Sequence, residues 1–331
     1  MILLRKINWP ILLIFSIIGL FFLKCSVSKP TFLSPLGAVK SPVENPLDTA
    51  KIALGKEFFF DKRLSVDESV SCAVCHKPGL AFTDGLKVSD GVLGRKSARN
   101  SPTLLNVAFL PKVMFDGEIP TLEMQSIVPI QDHDEMGMEM KALIVRLKSV
   151  PEYQAAAKRI FNRDMDVWVL SRSLAAYQRS LISDNSPFDK FYYGKKKMAM
   201  SPSAKRGWTI FSEKLYCAKC HPAPYFTTHK VENNGLFETY PDNGRFRINN
   251  DSTEMGKFKV PTLRNIEITD PYMHDGSYES LSDVIDHYAS GGKNHKNKSS
   301  IIQPFTLTKK EKNDLIEFLY SLTDMSFMER L

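Results

Sequence analysis

A chain of 331 residues is ample for two domains of ordinary size. Its formal charge of +7 suggests a polyanionic partner, but residues 1–30 carry Arg5, Lys6, Lys24 and Lys29 with no acid and supply +4 of it. The +3 left over, with no RNA- or DNA-binding motif beside it, excludes nucleic acid as the expected partner.

Arg5 and Lys6 precede an apolar run from Ile11 to Leu23 broken only by Ser16 and Gly19, the pattern of an export signal. Three fates for residues 1–25 stay open: cleavage, retention as a membrane helix, or a lipid anchor on Cys25. Cys25 follows the run as a lipid-modified cysteine would, whereas Lys24 stands where such signals want a small residue. The run is barely long enough to span a bilayer. Each fate puts the globular part in the periplasm. Residues 26–46, rich in Ser and Pro, predict a tether.

Asp48 is a candidate N-cap for a helix with Ile52, Gly55 and Phe59 on one face. That helix leads into Cys72-Ala73-Val74-Cys75-His76, which recurs 145 positions later as Cys217-Ala218-Lys219-Cys220-His221. C-x-x-C-H is the attachment signature of a c-type haem: two thioether bonds to the vinyl groups and a proximal histidine on iron. A thioredoxin-like pair or half a zinc site needs no histidine directly after the second cysteine, twice. Two covalent haems are therefore expected, one per domain.

Between His76 and Val107, Gly and Asp are frequent, predicting haem-wrapping loop. Val167, Leu170, Leu174, Tyr177 and Leu181 recur at helical spacing, and Asn185-Ser186-Pro187 is expected to end that helix. Gly194 to Met200 reads as the linker between domains. Ser201-Pro202, an N-cap followed by proline, opens a helix running to about Leu215 that delivers Cys217. A terminal amphipathic helix from Thr308 carries Leu315, Phe318, Leu319 and Leu322. The lysine clusters at 195–197 and 293–298 read as solvated surface.

Beyond the haem motifs, the chain carries Arg99-Asn100-Ser101-Pro102-Thr103, Phe115-Asp116-Gly117, Glu135-Met136-Gly137, Val260-Pro261-Thr262-Leu263-Arg264-Asn265 and Pro271-Tyr272-Met273-His274-Asp275-Gly276. Over residues 45–325 it thereby resembles the bacterial di-haem cytochrome c peroxidases, a family that includes the MauG-type enzymes. The resemblance implies a mainly α fold of two cytochrome c-like domains, here 47–194 and 195–331, with haems facing a shared interface. It implies reduction of hydrogen peroxide at the His76 haem, with electrons from a small cytochrome c or a cupredoxin, and often a homodimer.

Peroxide reduction needs a base for the first proton and an acid to return it to the leaving oxygen, and one carboxylate over the iron can do both. The family's glutamate maps to Glu135, otherwise readable as a surface acid beside Asp132 and Asp134. Its pocket glutamine maps to Gln125. His133, the default base without the resemblance, becomes a bystander. The family's calcium site maps to the Asn100 side chain and the carbonyls of Thr269 and Pro271, an oxygen-only set suited to Ca²⁺.

Three positions depart from the common pattern. Where many relatives carry a histidine that ligates the peroxidatic iron at rest, this chain has Val92, which cannot, so an open first haem needing no reductive activation is expected. Where a methionine usually ligates the second iron stands Tyr288, as in the MauG-type branch; a phenolate lowers the potential. The competing readings are that Tyr288 packs on the haem edge or that His287 is the ligand. Phe115 replaces a tryptophan between the haems and is a poor hopping station. No tryptophan immediately precedes Cys217, and Trp208 lies nine residues away, which weighs against MauG-like oxidation of a partner protein. A non-catalytic di-haem electron carrier is the third function class.

Overall fold

The computed structural model describes residues 34–328. The export signal, Cys25 and the start of the tether lie outside the described residues; among those described, no helix is long and apolar enough to cross a membrane.

The fold is mainly helical, and it repeats one helical crossing. Helix α1 (Thr49–Phe60) is capped by Asp48, whose carboxylate accepts from the backbone N–H of Ala50 and Lys51. It packs on α2 (Val167–Arg179), capped in the same way by Asp166. In the second half α3 (Pro202–Thr209), capped by Ser201 with proline at its first position, packs on α5 (Lys309–Tyr320), which follows α4 (Leu281–Ala289). A glycine makes each crossing close. A Cβ on Gly55 would lie 1.9 Å from the Ser173 carbonyl oxygen, and one on Gly207 would lie 1.9 Å from that of Asp314. The helix from Pro202 continues as one wide turn over Ile210–Lys214 and so reaches Leu215, as the sequence predicts.

Two apolar cores follow. The first is built around Phe58, Phe59, Phe82, Leu143 and Leu170, the second around Phe188, Phe211, Phe226 and Phe318. Phe327 returns from the C-terminal end to the first core, edge-on to Phe82 at 5.8 Å. The only regular sheet among the described residues is the two-stranded ribbon of Val231–Glu232 and Phe258–Lys259. It reaches the first half: the Lys259 N–H donates to the Phe115 carbonyl at 2.6 Å.

Two expectations are revised. Residues 34–46 are not a free tether, because Leu36 is buried and Asn45 is buried with its amide donating to Glu123 Oε1 at 2.7 Å. Ser-Pro at 186–187 does not end α2, which stops at Ser180. It starts the short helix Pro187–Tyr192, closed by a capping box between Ser186 and Asp189.

Candidate active site

The halves repeat beyond their helices. After each motif a phenylalanine adopts the left-handed conformation (Phe82, φ +60°; Phe226, φ +52°) and turns its carbonyl toward the histidine. His76 Nδ1 donates to the Phe82 carbonyl at 2.9 Å, and His221 Nδ1 to that of Phe226 at 3.0 Å. Each bond fixes the ring and leaves Nε2 as the nitrogen for iron, the usual outer-shell arrangement for a ligating histidine. Burial holds both imidazoles below their ordinary range, His221 at about 4, so both are neutral as ligation requires. Thr103 and Thr262 brace these loops, their hydroxyls donating to the carbonyls of Ala81 and Tyr225. Each half then carries a matching hairpin, Val113–Ile119 or Tyr272–Tyr278, with Met114 and Met273 equivalent and both at positive φ.

In the first half Cys72, Cys75, His76, Gln125, Pro129 and Glu135 converge on one cleft, whose apolar wall includes Phe59, Leu104 and Leu174. The short helix Leu122–Gln125, capped by Thr121, carries Gln125 to the cleft, where its Oε1 is buried with no hydrogen-bond partner in the chain. Glu135 follows a tight turn in which the Gly137 N–H donates to the Asp132 carbonyl at 2.7 Å. Burial, then the nearby carboxylates of Asp132 and Asp134, push its carboxyl up to about 7. His133 points outward, largely exposed, with Nδ1 on the Asp134 carboxylate at 2.8 Å.

The donor set fits a covalent c-type haem. Cys72 and Cys75 are unpaired thiols, Cys72 pushed up to about 12 by burial, and His76 offers a neutral Nε2 beside them. The orphaned Gln125 oxygen is a polar group without function unless something polar occupies the cleft. The zinc alternative finds no support, since no group of three His, Cys, Asp or Glu side chains among the described residues is placed to hold a metal ion.

In the second half Tyr288 lies within electrostatic reach of Cys217 and Cys220, and burial pushes its phenol up to about 12 while an Asn234 hydrogen bond opposes the rise. His287 is committed elsewhere: Nε2 bonds to the Asn234 carbonyl at 3.1 Å and Nδ1 faces the Tyr278 hydroxyl at 3.4 Å. Of the two candidate ligands, His287 is the one whose ring nitrogens both have partners within the chain. Trp208, partly buried, packs against the second core, stacked on Phe211, edge-on to Phe188 and tilted against Phe318.

Between the motifs, the Arg99 guanidinium pairs with buried Asp116 at 2.9 Å and with Asp242 at 2.6 Å, and lies over the Phe115 and Phe258 rings. Val92 is fully buried and its N–H donates to the Glu135 carbonyl at 2.9 Å. Asn100 is buried too: its N–H donates to the His274 carbonyl and its Nδ2 to the Leu86 carbonyl, both at 2.8 Å, which leaves Oδ1 for a cation. Pro271 is joined to Asp270 by a cis peptide bond, and Thr269 precedes that pair.

Pro129 was missed by sequence reasoning. Thr103, Asn106, Met114 and Gly117 each precede their counterparts Thr262, Asn265, Met273 and Gly276 by 159 positions, and the same offset places Pro129 opposite Tyr288. The repeated Pro-Thr-Leu and Met-x-Asp-Gly blocks were the signal that could have found it. At the position where the second half offers a phenol, the first offers a ring with no donor atom.

A mainly helical fold carrying two haem-attachment motifs in matched loops is that of a di-haem c-type cytochrome, with a carboxyl and an amide lining the cleft at the first motif. The family model for di-haem cytochrome c peroxidase matches residues 49–197. The methylamine utilization protein MauG of Methylorubrum extorquens is 38% identical over 289 residues, covering 86% of this chain and 81% of that protein. Cytochrome-c peroxidase IdrP1 of a Pseudomonas species is 35% identical over 327 residues, covering 88% and 85%. A solved MauG-like protein associated with microbial copper homeostasis superposes with a TM-score of 0.82 at 31% identity, covering 91% of this chain and 96% of the other. The chain belongs to the di-haem cytochrome c peroxidase and MauG family.

Proposed function

We propose that the chain is a periplasmic peroxidase that reduces hydrogen peroxide to water with electrons from a small cytochrome c or a cupredoxin. The observation that carries this reading is the convergence of Glu135 and Gln125 on the cleft that holds His76. Cys72, Cys75 and His76 in one half, and Cys217, Cys220, His221 and Tyr288 in the other, would hold haems, which would supply the redox chemistry that relays the donor's electrons to the O–O bond. Glu135 accepts the first peroxide proton and returns it to the departing oxygen. Its carboxyl, held near 7, is matched to both directions of transfer at neutral pH. Gln125 orients the peroxide by hydrogen bonding, and Pro129 and the apolar wall keep the cleft free of a competing ligand and of excess water.

The two halves, 47–194 and 195–331, are assigned as cytochrome c-like domains with one haem each. Asn100 Oδ1 with the carbonyls of Thr269 and Pro271 is assigned as a calcium site between them. A homodimer completes the assignment, with residues 1–25 cleaved, retained or lipidated. Peroxide consumption with a reduced cytochrome or dye donor tests the reading: turnover is expected in the wild type and its near-complete loss in Glu135→Gln. Equal turnover in both would reject it.

A second reading, oxidation of a partner protein, is favoured by Tyr288 at the position where a methionine usually ligates the second iron. Two features weigh against it. The Arg99 cation over the Phe115 ring makes that ring still harder to oxidise, and Trp208 is partly buried with its ring packed against the aromatic core.

A further inference from the structure

The segment that presents Glu135 is gripped by the loop at 91–95. The Val92 N–H donates to the Glu135 carbonyl at 2.9 Å, and Arg95 Nη1 donates to the His133 carbonyl at 2.9 Å. Gly91 lies so close that a Cβ there would stand 1.8 Å from the Asp134 carbonyl oxygen, and a Cβ on Gly137 would stand 3.2 Å from Val92 Cγ2. The loop is itself shaped for this contact. Leu93 and Gly94 are consecutive left-handed residues, the Gly91 N–H closes onto the Arg95 carbonyl at 2.9 Å, and Asp67 Oδ2 accepts from the Leu93 N–H at 3.1 Å. From the other side the Val66 N–H donates to the Met136 carbonyl at 3.0 Å. The main chain at 133, 135 and 136 is thus hydrogen-bonded from outside its own turn, while the Glu135 side chain lines the cleft.

We propose that the 91–95 loop is a standing clamp that positions the Glu135 carboxylate over the first-haem cleft, with Arg95 as its side-chain grip and Gly91 as its fitted face. The inference rests on the reading of Glu135 as the proton shuttle. Arg95 does not line the cleft, so it is a positioning residue and acts only through Glu135. Its contact is on the solvent side, so its removal leaves the core intact.

The test is a double-mutant cycle on the oxidised, haem-loaded full chain, reading the rate of reaction with hydrogen peroxide in the Soret band. Arg95→Ala is expected to slow the reaction at least about tenfold, since small displacements of a reacting group carry penalties of this order. The resting spectra of both haems should stay unchanged, and Arg95→Lys, which keeps a donor, should restore most of the rate. Gly91→Ala, which displaces the Asp134 carbonyl by a different route, should slow it likewise. In a Glu135→Gln background neither change should slow the reaction further, because the group they position is already gone. Undiminished rates in Arg95→Ala and Gly91→Ala, with Glu135→Gln slow, would overturn the clamp alone. Equal slowing in both backgrounds would overturn it too, showing an effect that bypasses Glu135. A normal rate in Glu135→Gln itself would overturn the proton-shuttle reading and the clamp with it.

Discussion

The first and second halves are built from one plan and differ where it matters. Both cross two helices at a glycine, both turn a left-handed phenylalanine carbonyl onto the motif histidine, and both follow with the same hairpin. They part at the position 159 residues apart where one has Pro129 and the other Tyr288, and the first half brings Glu135 and Gln125 to its cleft. On the proposed function, the shared loops hold each haem, and Glu135, Gln125 and Pro129 in one half against Tyr288 in the other decide which iron is offered to a substrate. Function here is therefore a property of the difference between two copies, not of either copy's fold.

The sharpest way to break that asymmetry is to remove the acid. Glu135→Gln should lower the peroxide rate by about 10²–10⁴-fold, the usual worth of a positioned proton-transfer group. A loss below about tenfold would put the proton on another residue.

The pH profile carries a smaller effect. Burial raises the Glu135 carboxyl to about 7, so the base form grows as pH rises through that value. The rate of peroxide reaction with the oxidised protein should climb about tenfold from pH 6 to pH 8 and then level off. Glu135→Gln should flatten the profile. For stability the sign is reversed. A carboxyl that holds its proton more tightly when folded favours the fold at low pH, and that contribution is lost as pH rises from the ordinary carboxylate range through about 7.

Tyr288→Phe removes the phenol and should change the absorption and EPR of the second haem while leaving those of the first in place. An unchanged second haem would mean that Tyr288 only packs there. The smallest expected effect tests the common plan. Gly55→Ala and Gly207→Ala should each destabilise by about 1–3 kcal/mol through overpacking at the helix crossing, and by similar amounts. Thermal unfolding with haem absorbance as the readout checks this, and a large difference between the two would deny that the crossings are equivalent.

Much of this was legible in the sequence. C-x-x-C-H names its cofactor because the chemistry needs those residues in that order, and Asp48, Ser201-Pro202 and Thr308 mark helix starts because capping is local. What was hidden depends on distant partners. Asn45 looks like loop and is buried because Glu123, 78 residues on, accepts its amide. The left-handed carbonyls of Phe82 and Phe226 leave no signature in side-chain chemistry, since any residue has a carbonyl to offer. Ser186-Pro187 was visible but ambiguous, because the residues that cap a new helix also break an old one. Pro129 was written in the internal repeat rather than in any motif.

The central claim, one open iron and one closed, is tested most directly by EPR of the oxidised protein as isolated, followed by addition of hydrogen peroxide. The account predicts a high-spin signal from the first haem beside a low-spin signal from the second, with peroxide consuming the high-spin signal without prior reduction. Two low-spin signals and no reaction with peroxide would contradict it.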